Sequence, residues 1–223
     1  MKTLFAFALS TLLAMIAGEG SALATIVDPV DDFLGTYAFP ENPDLDVVSA
    51  DVAYNQGAGT FTFEGTMNGA VGTTQTGAYV FGVDRGQGTA GLAAIASNVL
   101  FDSVLLLNAN GSGAFIDIAQ GGAPVALPAG SVHISGNTIS ATFSASLIPS
   151  LGALAPGQYT WNLWPRFAPN VTDNTYVSDF APNNSNAPVR SVPEPATAYL
   201  LALGVGSILL AFRRSRWGQR YTQ

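Results

Sequence analysis

Thr138-Ile139-Ser140-Ala141-Thr142-Phe143-Ser144 alternates hydroxyl and apolar side chains without a break. Successive side chains of a strand point to opposite faces, so Ile139, Ala141 and Phe143 are predicted to face a core, and the hydroxyls water. Thr60-Phe61-Thr62-Phe63-Glu64 repeats the pattern and puts Phe61 and Phe63 on one face. Val132-His133-Ile134 alternates as well, and Gly136-Asn137 suits a two-residue hairpin loop, since both residue types accept positive φ. Working outward, strands are expected at 47–54, 78–84, 99–107, 114–118 and 159–164, with turn residues at 55–59, 108–113 and 121–122. Short strands at nearly regular spacing predict an all-β body, an antiparallel β-sandwich of jelly-roll or Ig-like type. Residues 91–97 are long enough for a turn or two of helix. Trp161, Trp164 and Phe180 are expected to close the core, and Arg166 and Asp179 to pair across adjacent strands.

The ends of the chain have a different character. Lys2, an apolar stretch over 4–16 and the small-residue run Ala22-Leu23-Ala24 read as a secretory signal peptide, residues 1–24, with cleavage set by Ala22 and Ala24 and a mature start at Thr25. At the other end, Pro193-Glu194-Pro195 precedes an uncharged apolar run over 196–212, followed by Arg213-Arg214-Ser215-Arg216. As a helix, 196–212 rises ~26 Å, against a bilayer core of about 30 Å, so a transmembrane helix is predicted there. Clustered arginines mark a cytoplasmic flank, which makes Arg213, Arg214 and Arg216 the membrane stop and leaves the body outside. The expected division is a β body over 25–181, an Asn-, Pro- and Ser-rich linker over 182–192 and a tail over 193–220.

A Pro-Glu-Pro triplet, a short hydrophobic span and a terminal arginine cluster, on a chain with a signal peptide, resemble the PEP-CTERM sorting signal. The same short tail also goes under the label ice-binding protein C-terminal domain, which says nothing about ice for the rest of a chain. The resemblance implies that Pro193, Glu194 and Pro195 are recognised by an exosortase, a membrane protease-transpeptidase, in a Gram-negative bacterium that builds an exopolysaccharide or biofilm matrix. Residues 159–166 and 177–182 loosely resemble the closing strands of β-sandwich domains on other proteins with this tail.

The 223 residues carry a formal charge of −7. Between Thr25 and Arg190 the bias is stronger, with thirteen acids against Arg85, Arg166 and Arg190. That sign repels phosphate backbones, so no nucleic-acid partner is expected. There is no cysteine, which removes disulfides and thiolate zinc sites and leaves the fold to its core. His133 is the sole histidine; alternation places it on the solvated face, as a surface residue rather than a catalytic base. Gly86-Gln87-Gly88-Thr89-Ala90-Gly91 matches G-x-G-x-x-G after a predicted strand. No βαβ unit follows and the acid due about 20 residues on is missing, so it reads as a glycine loop. The acidic stretch 28–51, with Asp44 and Asp46 at alternate positions, is the best calcium candidate, but it lacks the spacing of a dedicated loop and reads first as a solvated acidic edge. Thr138, Ser140, Thr142 and Ser144 form a hydroxyl stripe that reads first as a solvated strand face, then as a surface for a polysaccharide and last for ice, since the fixed-period repeats of a flat ice-binding array are not found.

The expectation is an exported protein held in the inner membrane during sorting and then delivered to the cell surface or matrix. Its role is structural or adhesive, its partners an exosortase and an extracellular polysaccharide, and no catalytic, cofactor or metal residue is assigned. A secreted carbohydrate-active enzyme using Asp and Glu carboxylates is the alternative.

Overall fold

The computed structural model describes residues 25–168, 173–192 and Gly204. Twelve strands are found there: β1 (Ile26–Val27), β2 (Val47–Asn55), β3 (Thr60–Met67), β4 (Ala78–Asp84), β5 (Ser103–Asn108), β6 (Gly113–Asp117), β7 (Val125–Ala126), β8 (Val132–Ser135), β9 (Thr138–Ser144), β10 (Thr160–Arg166), β11 (Ala187–Pro188) and β12 (Arg190–Val192). They form two six-stranded sheets, one ordered β1-β2-β3-β9-β8 with β12 also on β2, the other β11-β10-β4-β5-β6-β7. Every pairing is antiparallel except β12 on β2. The described residues of the body hold short 3-10 turns and no α-helix.

The segments on β3 and β9 behave as their period demands, whereas Ile134 on the edge strand β8 is exposed beside His133. Phe61, Phe63, Ile139, Ala141 and Phe143 are all buried, and β3 and β9 pair with Phe61 opposite Phe143 and Phe63 opposite Ala141. Phe63 stacks on Phe143 at 5.7 Å between centroids and meets Phe81 of the other sheet edge-on at 5.3 Å. Phe61 lies 6.0 Å from Tyr159. One apolar core is therefore shared by both sheets, each burying about 150–250 Å² per aromatic ring. The hairpin β8–β9 turns at Gly136, whose φ of 61° is the left-handed value its lack of Cβ permits.

The second sheet is covered on its other face too. Trp164, Phe180, Val80, Leu92, Ala96 and Val99 form a second apolar cluster under the chain between β4 and β5. This is why β4 is a continuous apolar run where β3 alternates: a strand buried on both faces has no solvent side to mark with polar residues.

Several expectations are corrected. Residues 91–97 form successive turns, with Ala93, Ile95 and Ala96 amides donating to Ala90 and Leu92 carbonyls. A segment this short does not repay helix nucleation, and turns already bury Leu92 and Ala96. The strand predicted from 99 begins at Ser103, because Phe101 bridges to Thr89 and Asp102 turns inward. Arg166 and Asp179 do not pair: Arg166 Nη2 donates to the Asp173 carbonyl, and Asp179 accepts from the amides of Val47 and Phe180. Residues 182–192 are folded onto the body rather than forming a linker. Asn162 Nδ2 donates to the Pro182 and Ser185 carbonyls at 2.6 and 2.7 Å, Asn186 Nδ2 to the Leu100 carbonyl, and β11 and β12 join the two sheets. The compact body ends at Val192.

Among the described residues no helix is long and apolar enough to cross a membrane. The span predicted over 196–212 lies outside them apart from Gly204, which is helical. Ala22, Ala24, Pro193, Glu194, Pro195, Arg213, Arg214 and Arg216 also lie outside them.

Candidate metal centre and sorting motif

The acidic stretch singled out in the sequence divides: Asp28 and Asp32 come together with Asp179, while Asp44 goes elsewhere. Asp44 is buried and tied to Thr74, accepting from its amide at 2.6 Å and its hydroxyl at 2.8 Å. It closes a turn. Asp46, two residues on, lies close enough to Asp28, Asp32 and Asp179 for their charges to interact.

Three elements build that cluster. Asp28 follows β1, whose edge position is extended by the Asp28 amide donating to the Val48 carbonyl. Pro29-Val30-Asp31 then turns the chain, with Asp31 at φ 61° and its amide donating to Asp46 Oδ2 at 2.9 Å. Asp tolerates that left-handed conformation better than most residues. The turn brings Asp32 back beside Asp28. Asp179 arrives from the far end of the body, in the segment where Ser178 donates to the Leu45 carbonyl and Ala181 bridges to Leu163. One carboxylate oxygen from each of Asp28, Asp32 and Asp179 lies within 4.8 Å of the others. Sequence reading missed Asp179, which lies 133 residues beyond Asp46, and no local spacing connects the two.

Its electrostatics are those of crowded buried acids. Burial, then the charges of Asp179, Asp32 and Asp46, push Asp28 up to about 8. Burial raises Asp179 to about 7, against the hydrogen bond it accepts from Val47. Asp46 is also raised, mainly by burial, with the Asp31 amide opposing. Oxygen-only donors suit a hard cation such as calcium or magnesium and not the softer metals that prefer imidazole or thiolate.

The other sequence candidates find plain roles. His133 is exposed on β8. In the glycine loop, the amides of Gly86 and Gly88 donate to Asp84 Oδ1, and those of Arg85 and Gln87 to Asp102 Oδ2. Amides that would cradle a phosphate are spent on carboxylates, so the loop offers an anion nothing. The hydroxyl stripe lies on the outer face of the first sheet, with Thr62 and Thr142 paired at 3.0 Å and Thr66 and Thr138 at 3.2 Å. Beside it a groove of about 450 Å³ is lined by Asp51, Thr60, Thr62, Glu64 and Arg190 among others. Among the aromatics, Tyr79 and Phe115 are buried, while Tyr54 and Tyr176 are half-buried.

The tail decides the identity of its own segment. Residues 191–216 match the family model described as the PEP-CTERM protein-sorting motif. This chain carries a PEP-CTERM motif. The match takes in Pro193, Glu194 and Pro195, the apolar run and Arg213, Arg214 and Arg216. It supports an exported protein that is sorted by an exosortase. The PEP-CTERM match starts at Ser191, inside β12, so Pro193 follows the last residue of the body directly. No curated protein matches the chain.

Proposed function

We propose that the chain is a component of the cell surface or extracellular matrix, structural or adhesive in role, whose β-sandwich body is delivered by exosortase processing of its tail. The observation that carries this reading is the PEP-CTERM match over residues 191–216. The rest of the tail is read from its chemistry: 196–212 spans the inner membrane during sorting, Arg213, Arg214 and Arg216 stay cytoplasmic, and the body faces the periplasm.

The body offers a binding face rather than a reaction centre. The first sheet presents paired threonine hydroxyls beside a groove with two carboxylates, a surface able to hydrogen-bond an exopolysaccharide. Glycosidase chemistry in that groove would need a free acid and base. Asp51 is already held by Arg190, whose Nε and Nη2 both donate to Asp51 Oδ2, which argues for adhesion over turnover.

Glu194→Ala tests the sorting step. The precursor is expected to accumulate unprocessed in the membrane fraction on immunoblots, and normal processing of the variant would remove Glu194 from recognition. Incubation of the purified chain with extracellular polysaccharide tests the body: retention without release of reducing ends is expected, whereas product formation lost in Glu64→Gln would establish the enzyme instead.

A further inference from the structure

We infer that Asp28, Asp32 and Asp179, with Asp46 behind them, form a binding site for one calcium ion that ties the first residues of the mature body to its closing segment. The site shares no residue with the hydroxyl stripe or its groove and does not depend on the sorting reading.

The first observation is convergence. Oxygens bound to one calcium ion at 2.3–2.6 Å lie no more than about 5 Å from one another, and the three carboxylate oxygens here are within 4.8 Å. The second is independent of spacing. Asp28 is only 7 % exposed and Asp46 0 %, yet Asp28 Oδ2, Asp32 Oδ1 and Asp46 Oδ1 are buried with no hydrogen-bond partner among the described residues. Buried carboxylate oxygens are normally satisfied, and several orphaned together mark a place built for something else.

The third observation concerns charge. Between residues 25 and 192 the chain has three arginines and no lysine. Arg85 is committed to Asp102 and Asp117, Arg190 to Asp51, and Arg166 donates to the Asp173 carbonyl. None reaches the cluster. Neutralisation must come from protons or from a cation taken out of solution, and burial with mutual repulsion is the cost a divalent ion relieves most fully.

Calcium fits better than magnesium. Magnesium holds to octahedral geometry, keeps several waters and uses one or two carboxylates. Calcium accepts several carboxylates in irregular arrangements, with waters or carbonyls completing six to eight ligands. Asp32 Oδ2, which accepts from Asn183 at 3.1 Å, stays available to orient its carboxylate while Oδ1 binds.

The experiment uses the full chain, purified in mild detergent and stripped with EDTA. Calcium chloride is titrated while thermal unfolding and heats of binding are followed, with magnesium chloride and sodium chloride at matched ionic strength as controls. One calcium per chain is expected, with a Kd at or below about 10⁻³ M. At tenfold excess over Kd, Tm should rise by about 3 to 6 °C. Sodium should give no such rise. Asp28→Asn should abolish the calcium response while leaving Tm in EDTA unchanged or higher, because it removes a repelled buried charge. Should that variant fail to fold, the half-exposed Asp32→Asn reads the same loss. No heat and no shift up to about 10 mM calcium would overturn the site, as would a shift that persists in Asp32→Asn or one equalled by magnesium. Either failure leaves the Glu194→Ala result untouched.

Discussion

Arg85 shows how much a single side chain can organise. It is fully buried, its Nε donates to Asp102 at 2.7 Å, its Nη2 to Asp117 at 2.7 Å and its Nη1 to the Pro149 carbonyl at 3.1 Å. The guanidinium fork matches two carboxylates at once, which a lysine cannot do. Removing it strands buried charge, so Arg85→Ala is expected to cost about 3–5 kcal/mol, measured by urea unfolding. The same guanidinium holds Asp117 below its ordinary 3.8. A depressed acid adds stability that is present above the unfolded value and lost as pH falls through the folded one. Tm should therefore drop on acidification below about pH 4, and Asp117→Asn should flatten that limb. Thermal melts between pH 2 and 6 check the sign. Gly82 is sensitive for a steric reason: a Cβ there would run into the Trp164 ring. Gly82→Ala should destabilise by about 1–3 kcal/mol by the same urea assay, since the ring is buried and β4 is paired on both sides.

At the scale of elements, the edge of β2 is shared. β1 pairs with Ala50 and Ser49, while β12 pairs in parallel with Ala53, Tyr54 and Asn55 further along. Both ends of the body are thus stitched to one strand, and the Arg190–Asp51 contact closes the gap between them. Ser191→Pro places a proline inside β12, and amide exchange at β2 should rise locally with little change in global unfolding. Uniform protection across β2 would show that β12 contributes nothing.

Legibility followed the physics of each element. β3 and β9 were readable because one face is wet, and that contrast prints a period of two into the sequence. The β8–β9 register followed from Gly136-Asn137. β11 and β12 were not readable, since Asn and Pro look alike in a linker and in a loop whose Pro182 and Ser185 carbonyls accept from Asn162 and whose Asn186 donates to the Leu100 carbonyl. At the candidate site, Asp46 was visible within an acidic run. Asp179 was not, because only the tertiary fold brings residues from opposite ends of the body together.

For the whole molecule, the folded body and the tail answer to different constraints. The body is a cysteine-free, acidic pair of antiparallel sheets held by a shared aromatic core. The tail is a short address, with its arginines following an uncharged run and its Pro-Glu-Pro triplet adjoining the last strand. In this account the address is removed and the body is what reaches the surface. Intact-mass spectrometry of the protein recovered from the cell surface tests that most directly. The account predicts a chain that begins at Thr25 and lacks Arg213, Arg214 and Arg216; surface protein that retains those arginines would contradict it.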